Sequence, residues 1–227
     1  MLRLTKRFCQ TNVSLRYTFA AKRGVKWIEK ILDNVVGIEV LESLKDMKPE
    51  LNERDGLSLM LHFVVFDTQR AIFDLVRLKH FGAASALLRV LFETHVKAEW
   101  LKVCASDKQV DQFKRDSVKS AKKPKNLIIF QEMIEDLELN KPHLKGSLQS
   151  FKDYHWKGLN SFTHSGSMQL LQFQGRLEVA EGAADNTIDF ANRFAINSFG
   201  SVGELLKDVN VLKKHISLAD RFLGISI

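Results

Sequence analysis

The chain has 227 residues, of which 45% are hydrophobic and 27% are charged, so it is long enough to bury one good-sized core. Its two cysteines, Cys9 and Cys104, exclude a disulfide framework, and neither has the Cys/His spacing of a metal site. The longest uncharged apolar run, residues 56–66, is too short to cross a membrane. The composition predicts a soluble, cytoplasmic protein.

The net charge of +7 is concentrated at the N-terminus. Residues 1–30 contain eight basic side chains and one acidic one, whereas the rest of the chain has 26 of each sign. A basic arm can contact phosphates, and an acid-poor stretch of this kind also fits a transit peptide or an extension from an upstream start codon. We predict that residues 1–24 form an ill-ordered basic extension and that residues 25–227 form one domain.

Only twelve glycines and three prolines interrupt the chain, which favours long helices over the frequent turns of a β fold. Apolar residues recur at spacings of three and four, and they predict an all-α bundle of about six or seven helices. The predicted helices span 25–45, 53–80, 83–104, a segment starting after Ser106, 124–139, 147–163 and 186–222.

Several local sequence signals predict where these helices begin, end or kink and which of their faces is exposed to solvent. Ser106 and Gln109 have the spacing of a capping box. Gly82 is predicted to stop the helix before it, and Gly200 and Gly203 to kink the last helix. An acid–base ladder is predicted to face solvent on the second helix, and it consists of Asp67, Arg70, Asp74 and Arg77.

Arg89 is the most informative residue, because it lies in an apolar run that extends from Ala86 to Phe92. A guanidinium placed among leucines loses its hydration. This loss costs free energy unless an acid, a phosphate or a carbonyl compensates the charge. Glu93 follows at i+4 and can pair with it on one face of a helix. This pair either fixes the helix register or belongs to a functional site.

The sequence lacks the motifs of several enzyme classes. There is no GxxxxGK[ST], GxGxxG or GxSxG motif, and no glutamate precedes a histidine by three residues, as a four-helix carboxylate metal site requires. We therefore expect neither a metal nor a cofactor. A histidine that moves protons and an arginine that holds phosphate oxygens are what metal-independent RNA cleavage requires, and Arg89 with His164 fits that chemistry.

Two resemblances point the same way. The segment from Arg89 to His95 has the R-x(4–6)-H form that resembles the signature of HEPN domains, an all-α family that includes many toxin and antiviral ribonucleases. Six residues put His95 about 120° round the helix from Arg89, so both reach one phosphate only if the helix is distorted or a second subunit contributes.

The wider pattern is more specific and comprises residues 85–93, 99–101, 107–113, 156 and 159–166. It resembles a family of uncharacterised bacterial all-helical proteins that looks distantly HEPN-like, over roughly residues 25–223. The resemblance implies that the residues at Arg89, Glu93 and His164 converge, and that the protein acts in toxin or phage-defence systems. Position 95 is not part of that pattern, which favours His164 as the functional histidine.

We therefore predict Arg89, Glu93 and His164 as catalytic residues of an endoribonuclease that acts as a homodimer on RNA and has an antitoxin or other protein partner. The candidate substrate-binding residues are Asn160, Thr163, Ser165, His95 and Trp100. His164 can instead cap a helix, and Trp100 can belong to the core. The rival interpretation is a non-catalytic module that binds a nucleotide, a small anion or a protein.

Overall fold

The computed structural model describes residues 50–115, 129–173 and 177–223. Within these ranges the protein contains eight α-helices and no strand, which confirms the all-α prediction. The predicted N-terminal extension and the helix at 25–45 lie outside the described residues. The helices are α1 Glu53–Arg77, α2 Phe81–Val103, α3 Asp107–Arg115, α4 Phe130–Asn140, α5 Ser147–Thr163, α6 Ser167–Phe173, α7 Leu177–Leu206 and α8 Val209–Leu223, with a 3₁₀ turn at Pro142–Leu144 between α4 and α5.

Helix α2 is the centre of the bundle. It packs against α1, α4, α5 and α7, and its Leu91, Phe92, Trp100 and Leu101 are fully buried. Burial on several sides explains why apolar residues surround Arg89 in the sequence instead of following one stripe. No helix in the described ranges is long and apolar enough to cross a membrane.

Two local predictions are confirmed. The backbone N–H of Ser106 donates to Oε1 of Gln109 at 2.8 Å, and the N–H of Gln109 donates to Oγ of Ser106 at 3.4 Å, so the capping box precedes α3. The four ladder residues of α1 are exposed, and Arg77 donates to Asp74 at 3.0 Å. Both patterns depend on neighbours in sequence, which explains why they could be read directly.

The prediction that Gly82 stops the second helix is wrong. Helix α1 ends earlier, where Lys79 adopts a φ of 62° and the N–H of His80 donates to the carbonyl of Leu75 at 2.7 Å. This is a Schellman motif with lysine in the left-handed position usually given to glycine. Gly82 instead lies inside α2.

The predicted single helix over 186–222 is also wrong, because the chain turns back between α7 and α8. Lys207 has a φ of 52°, and the N–H of Asp208 donates to the carbonyl of Gly203 at 3.1 Å. Oδ1 of Asp208 then accepts from the N–H of Asn210 at 2.8 Å and starts α8. An acceptor side chain at a helix start favours a new helix there.

Gly200 and Gly203 let α8 approach α7 closely, and α7 continues as helix through both of them. A Cβ on Gly200 would lie 2.8 Å from Cε1 of His215, and a Cβ on Gly203 would lie 2.8 Å from Cδ2 of Leu212. Real Cβ atoms do not approach other atoms this closely, so a side chain at Gly200 or Gly203 would force His215 or Leu212 to shift.

We expect Gly200→Ala to destabilise the protein and Gly56→Ala to stabilise it. Alanine in a helix gains about 0.5–1 kcal/mol over glycine, and a Cβ on Gly56 meets nothing within 4 Å. At Gly200 the clash with His215 costs about 1–3 kcal/mol, which outweighs the gain. Urea unfolding of both variants measures this, and equal stabilisation by the two substitutions would contradict the close approach of α8.

Candidate functional site

Arg89 projects from the middle of α2 and is paired within its own helix. Its Nε donates to Oε1 of Glu93 at 2.7 Å, and Nζ of Lys97 lies 3.7 Å from Oε2 of the same carboxylate. The side chains of Arg89 and Glu93 are 25% and 22% exposed. The predicted i,i+4 pair is therefore formed, and it is partly open to solvent rather than enclosed.

His164, which is distant from Arg89 in the sequence, contacts its side chain. Nη1 of Arg89 lies 3.1 Å from Nε2 of His164, whose residue is exposed at the C-terminal end of α5. A guanidinium only donates hydrogen bonds, so Nε2 must accept and the imidazole proton is on Nδ1. In this arrangement His164 is neutral, and a lone pair faces the cation.

The end of α5 holds His164 in place through its backbone. Ser165 has a φ of 55°, and the N–H of Gly166 donates to the carbonyl of Ser161 at 2.7 Å, which makes a Schellman motif. A Cβ on Gly166 would lie 2.5 Å from Oγ and 3.0 Å from Cα of Ser161. The Ser165-Gly166 pair thus serves to turn the chain directly after His164.

Trp156 completes the contacts of Arg89. Cζ of Arg89 lies 4.9 Å from the centroid of its ring, and Nζ of Lys152 lies 5.3 Å from it. The ring also stacks on Phe130 at a centroid distance of 5.6 Å. Trp156 was not among the predicted site residues, although it precedes His164 by eight residues and so shares its face of α5.

Three candidate substrate-binding residues flank His164 on α5. Asn160 lies one turn earlier, and its Oδ1 is buried without a hydrogen-bond partner among the described residues. Thr163 is exposed, but its Oγ1 donates to the carbonyl of Leu159 at 2.8 Å. Ser165 is exposed in the turn itself. Of the three, Asn160 has the polar atom that most needs a partner.

His95 and Trp100 lie elsewhere, and their proposed place in the substrate site is corrected. Trp100 is fully buried, and its Nε1 donates to Oδ2 of Asp136 at 2.9 Å. His95 is buried against Phe194, with Nδ1 2.8 Å from Oγ of Ser198. The R-x(4–6)-H spacing therefore does not bring its two ends together, because six residues of regular helix separate them onto different faces.

His95 belongs instead to a second group of polar side chains inside the bundle. We call it the inner cluster, and it consists of His62, His95, Glu99, Lys141 and Ser198. Nε2 of His62 lies 3.5 Å from Oε1 of Glu99, and Lys141 donates to the other carboxylate oxygen. Both ring nitrogens of His62 and Oε1 of Glu99 are buried without a hydrogen-bond partner in the described ranges.

Burial determines which members of the inner cluster are charged. Desolvation lowers the pKa of His62 to about 3, against the opposing attraction of Glu99, and it also lowers the pKa of His95. Desolvation alone would raise the pKa of Glu99, but the positive charges of Lys141 and of His95 and His62 in their protonated forms, with the hydrogen bond from Lys141, hold it well below its ordinary range. At neutral pH both imidazoles are neutral and Glu99 is ionised.

We expect the protein to lose stability as the pH falls below about 6.5. The pKa of His62 and that of His95 are lower in the folded state than in the unfolded chain, so the unfolded state binds more protons in this range. Each histidine then removes up to about 1.4 kcal/mol per pH unit until its folded pKa is reached. Urea unfolding at pH 7.5, 6.5 and 5.5 measures this slope.

The His62→Leu variant should unfold with a shallower pH dependence, because one of the two buried imidazoles is gone. The matched control is His143→Leu, since His143 is exposed in the 3₁₀ turn. The same free energy of unfolding at pH 7.5 and 5.5 in the unmodified protein would contradict the assignment of neutral buried imidazoles.

Comparisons with known proteins identify a family to which the chain is similar, but they identify no individual protein. No curated protein matches the chain, and no solved structure matches it. A model of a family of unknown function, DUF6988, matches residues 62–225, a range that contains Arg89, Glu93, His164 and every residue of the inner cluster. The match covers more than half of the chain, and the protein therefore belongs to that family.

Proposed function

We propose that this protein is a metal-independent, HEPN-like endoribonuclease in which Arg89, Glu93 and His164 form the catalytic group. The observation that carries the proposal is the position of the Arg89 guanidinium between Glu93 and His164 at a partly exposed surface. A purely structural ion pair gains most from full enclosure, whereas a catalytic group must reach its substrate. The exposure of His164 supports the second interpretation.

The charges around this group favour an anionic substrate. Glu93 is shared by Arg89 and Lys97, so one carboxylate faces two cations. Lys152 adds a third cation beside the Trp156 ring. The side chains in contact here therefore carry a net positive charge, which attracts the phosphates of RNA.

The contacts suggest how RNA cleavage would proceed. A phosphate oxygen that takes the Nη1 donor of Arg89 frees Nε2 of His164, which then accepts the proton of the 2′-hydroxyl. The 2′-oxygen forms a bond to phosphorus while the bond from phosphorus to the 5′-oxygen breaks. The imidazolium returns the proton to that 5′-oxygen, and Arg89 stabilises the charge on the non-bridging oxygens. The products are a 2′,3′-cyclic phosphate and a 5′-hydroxyl.

Glu93 and Asn160 have supporting roles in this proposal. Glu93 binds Nε of Arg89 and so orients the two terminal nitrogens of the guanidinium toward the substrate. Asn160 has a buried, unpaired amide oxygen one helical turn from His164, and a ribose hydroxyl can pair with it only if the Asn160 side chain turns outward when substrate binds.

The cellular setting that we propose rests on the family resemblance. It implies a toxin–antitoxin or phage-defence system with a protein partner. The cleft would be completed by a second copy of the chain.

The alternative is a non-catalytic helical module that binds a nucleotide, a small anion or a protein. The observation that favours it is that Arg89 is already in contact with Glu93, His164 and Trp156. An anion that replaces His164 on Nη1 would bind without any reaction. The two functions differ in whether RNA is cut.

We expect purified protein to cut RNA in the presence of a chelator, and His164→Ala and Arg89→Ala to lower the rate by about 100-fold or more. Both variants should remain folded, because His164 is exposed and Lys97 still lies beside the Glu93 carboxylate when Arg89 is removed. Gel analysis of total RNA and the 2′,3′-cyclic phosphate ends measure cleavage, and circular dichroism checks folding.

The matched controls are His143→Ala and Arg70→Ala, which remove an exposed histidine and an exposed arginine away from the site. They should cut RNA like the unmodified protein. Cleavage that survives both site substitutions rejects the catalytic assignment, and no cleavage at high protein concentration favours the binding module.

A further inference from the structure

The hairpin of α4 and α5 carries His164, and its tip is held to α2 far from that residue. Lys141 follows α4 directly and pairs with Glu99 near the end of α2. Glu99 is ten residues after Arg89, which is about 15 Å along a helix. Helix α5 then returns along α2, where Phe151 packs on Phe92 before His164 reaches Arg89.

Titratable groups on α1, α2 and the hairpin interact with Glu99, and they are His62 on α1, His95 on α2, Cys104 directly after α2, and Lys141 on the hairpin. Lys102, near the same end of α2, acts on the two imidazoles. Lys102 pairs with Glu204, and the two imidazoles are neutral at neutral pH. Lys141 is therefore the cation that compensates the buried carboxylate among the described residues.

We propose that Glu99 and Lys141 form a positioning clasp, which fixes the register of the α4–α5 hairpin on α2 so that His164 meets Arg89. The role of the Arg89–His164 contact in catalysis rests on the proposed function, whereas the existence of the clasp does not. Lys141 and Glu99 are positioning residues, because they touch neither Arg89 nor His164.

The other contacts between the hairpin and α2 include aromatic faces, such as Phe130 and Phe151 against Phe92, and the hydrogen bond from Nε1 of Trp100 to Asp136 on α4. Apolar packing is not directional, whereas hydrogen bonds and ion pairs are. A shift of the hairpin would leave Glu99, which is 7% exposed in its side chain, as an uncompensated charge, and this costs more than a lost hydrogen bond.

The test compares Lys141→Met with Lys102→Met, a matched substitution of a lysine that pairs near the same end of α2 but with α7. Nitrogen NMR of His164 reports whether its Nε2 still accepts from Arg89. We expect the contact to persist in the unmodified protein and in Lys102→Met. In Lys141→Met, His164 should return to the tautomer mixture of a free imidazole.

A double variant covers the case in which Lys141→Met fails to fold. Replacing both Glu99 and Lys141 by Met leaves neither of these two charges buried without its partner and should fold, but it also removes the ion pair at the tip of the hairpin. His164 signals like those of the unmodified protein in this variant, or in folded Lys141→Met, would overturn the clasp.

Kinetics separate the clasp from the proposed function. If the protein cuts RNA, we expect folded Lys141→Met to lower kcat by about 100-fold with KM nearly unchanged, and Lys102→Met to change neither. Equal losses in the two variants would count against the clasp. If the unmodified protein does not cut RNA, the proposed function fails, and the NMR comparison still decides whether the clasp exists.

Discussion

The site depends on how the permanent positive charge of Arg89 is compensated. Arg89 cannot give up its charge, so α2 can carry it among leucines only if other groups replace the water it has lost. Glu93 does so from within the helix, while Trp156 and His164 do so from α5. The first contact is local and the other two require the α4–α5 hairpin to be docked. The guanidinium thus links the helix that forms the core to the hairpin that carries the candidate histidine.

Helix α2 carries two polar groups that differ in their surroundings. Around Arg89 the charges are partly exposed, so water screens them and a substrate can compete for their hydrogen bonds. In the inner cluster water is excluded, so burial keeps the pKa of His62 low and leaves Glu99 dependent on Lys141. The same residue types, histidine with a carboxylate and a cation, therefore form an accessible site near the middle of α2 and an enclosed cluster toward its C-terminal end.

The turns show why helix ends were harder to predict than helices. In the described part of the chain, three helices end in Schellman motifs, and the left-handed residue is Lys79, Ser165 or Lys207. Glycine is the usual signal for this conformation, but a lysine or serine adopts it when packing on both sides fixes the turn. Gly200 and Gly203 were predicted to kink the last helix, and the structure shows that they mark the close approach of another helix.

The sequence by itself determined the helical class, the capping box at Ser106, the exposed ladder of α1 and the pairing of Arg89 with Glu93, because each depends on residues three or four positions apart. It also indicated His164 as the partner of Arg89, through the chemistry that metal-independent RNA cleavage requires and through the family resemblance, and not through any spacing rule. Only the tertiary structure decided that His95 faces Ser198 in the interior, that Trp156 lies against Arg89 and that Lys141 pairs with Glu99. These contacts join helices far apart in sequence, so they depend on how whole helices rotate and shift to fill the core, which no local pattern encodes.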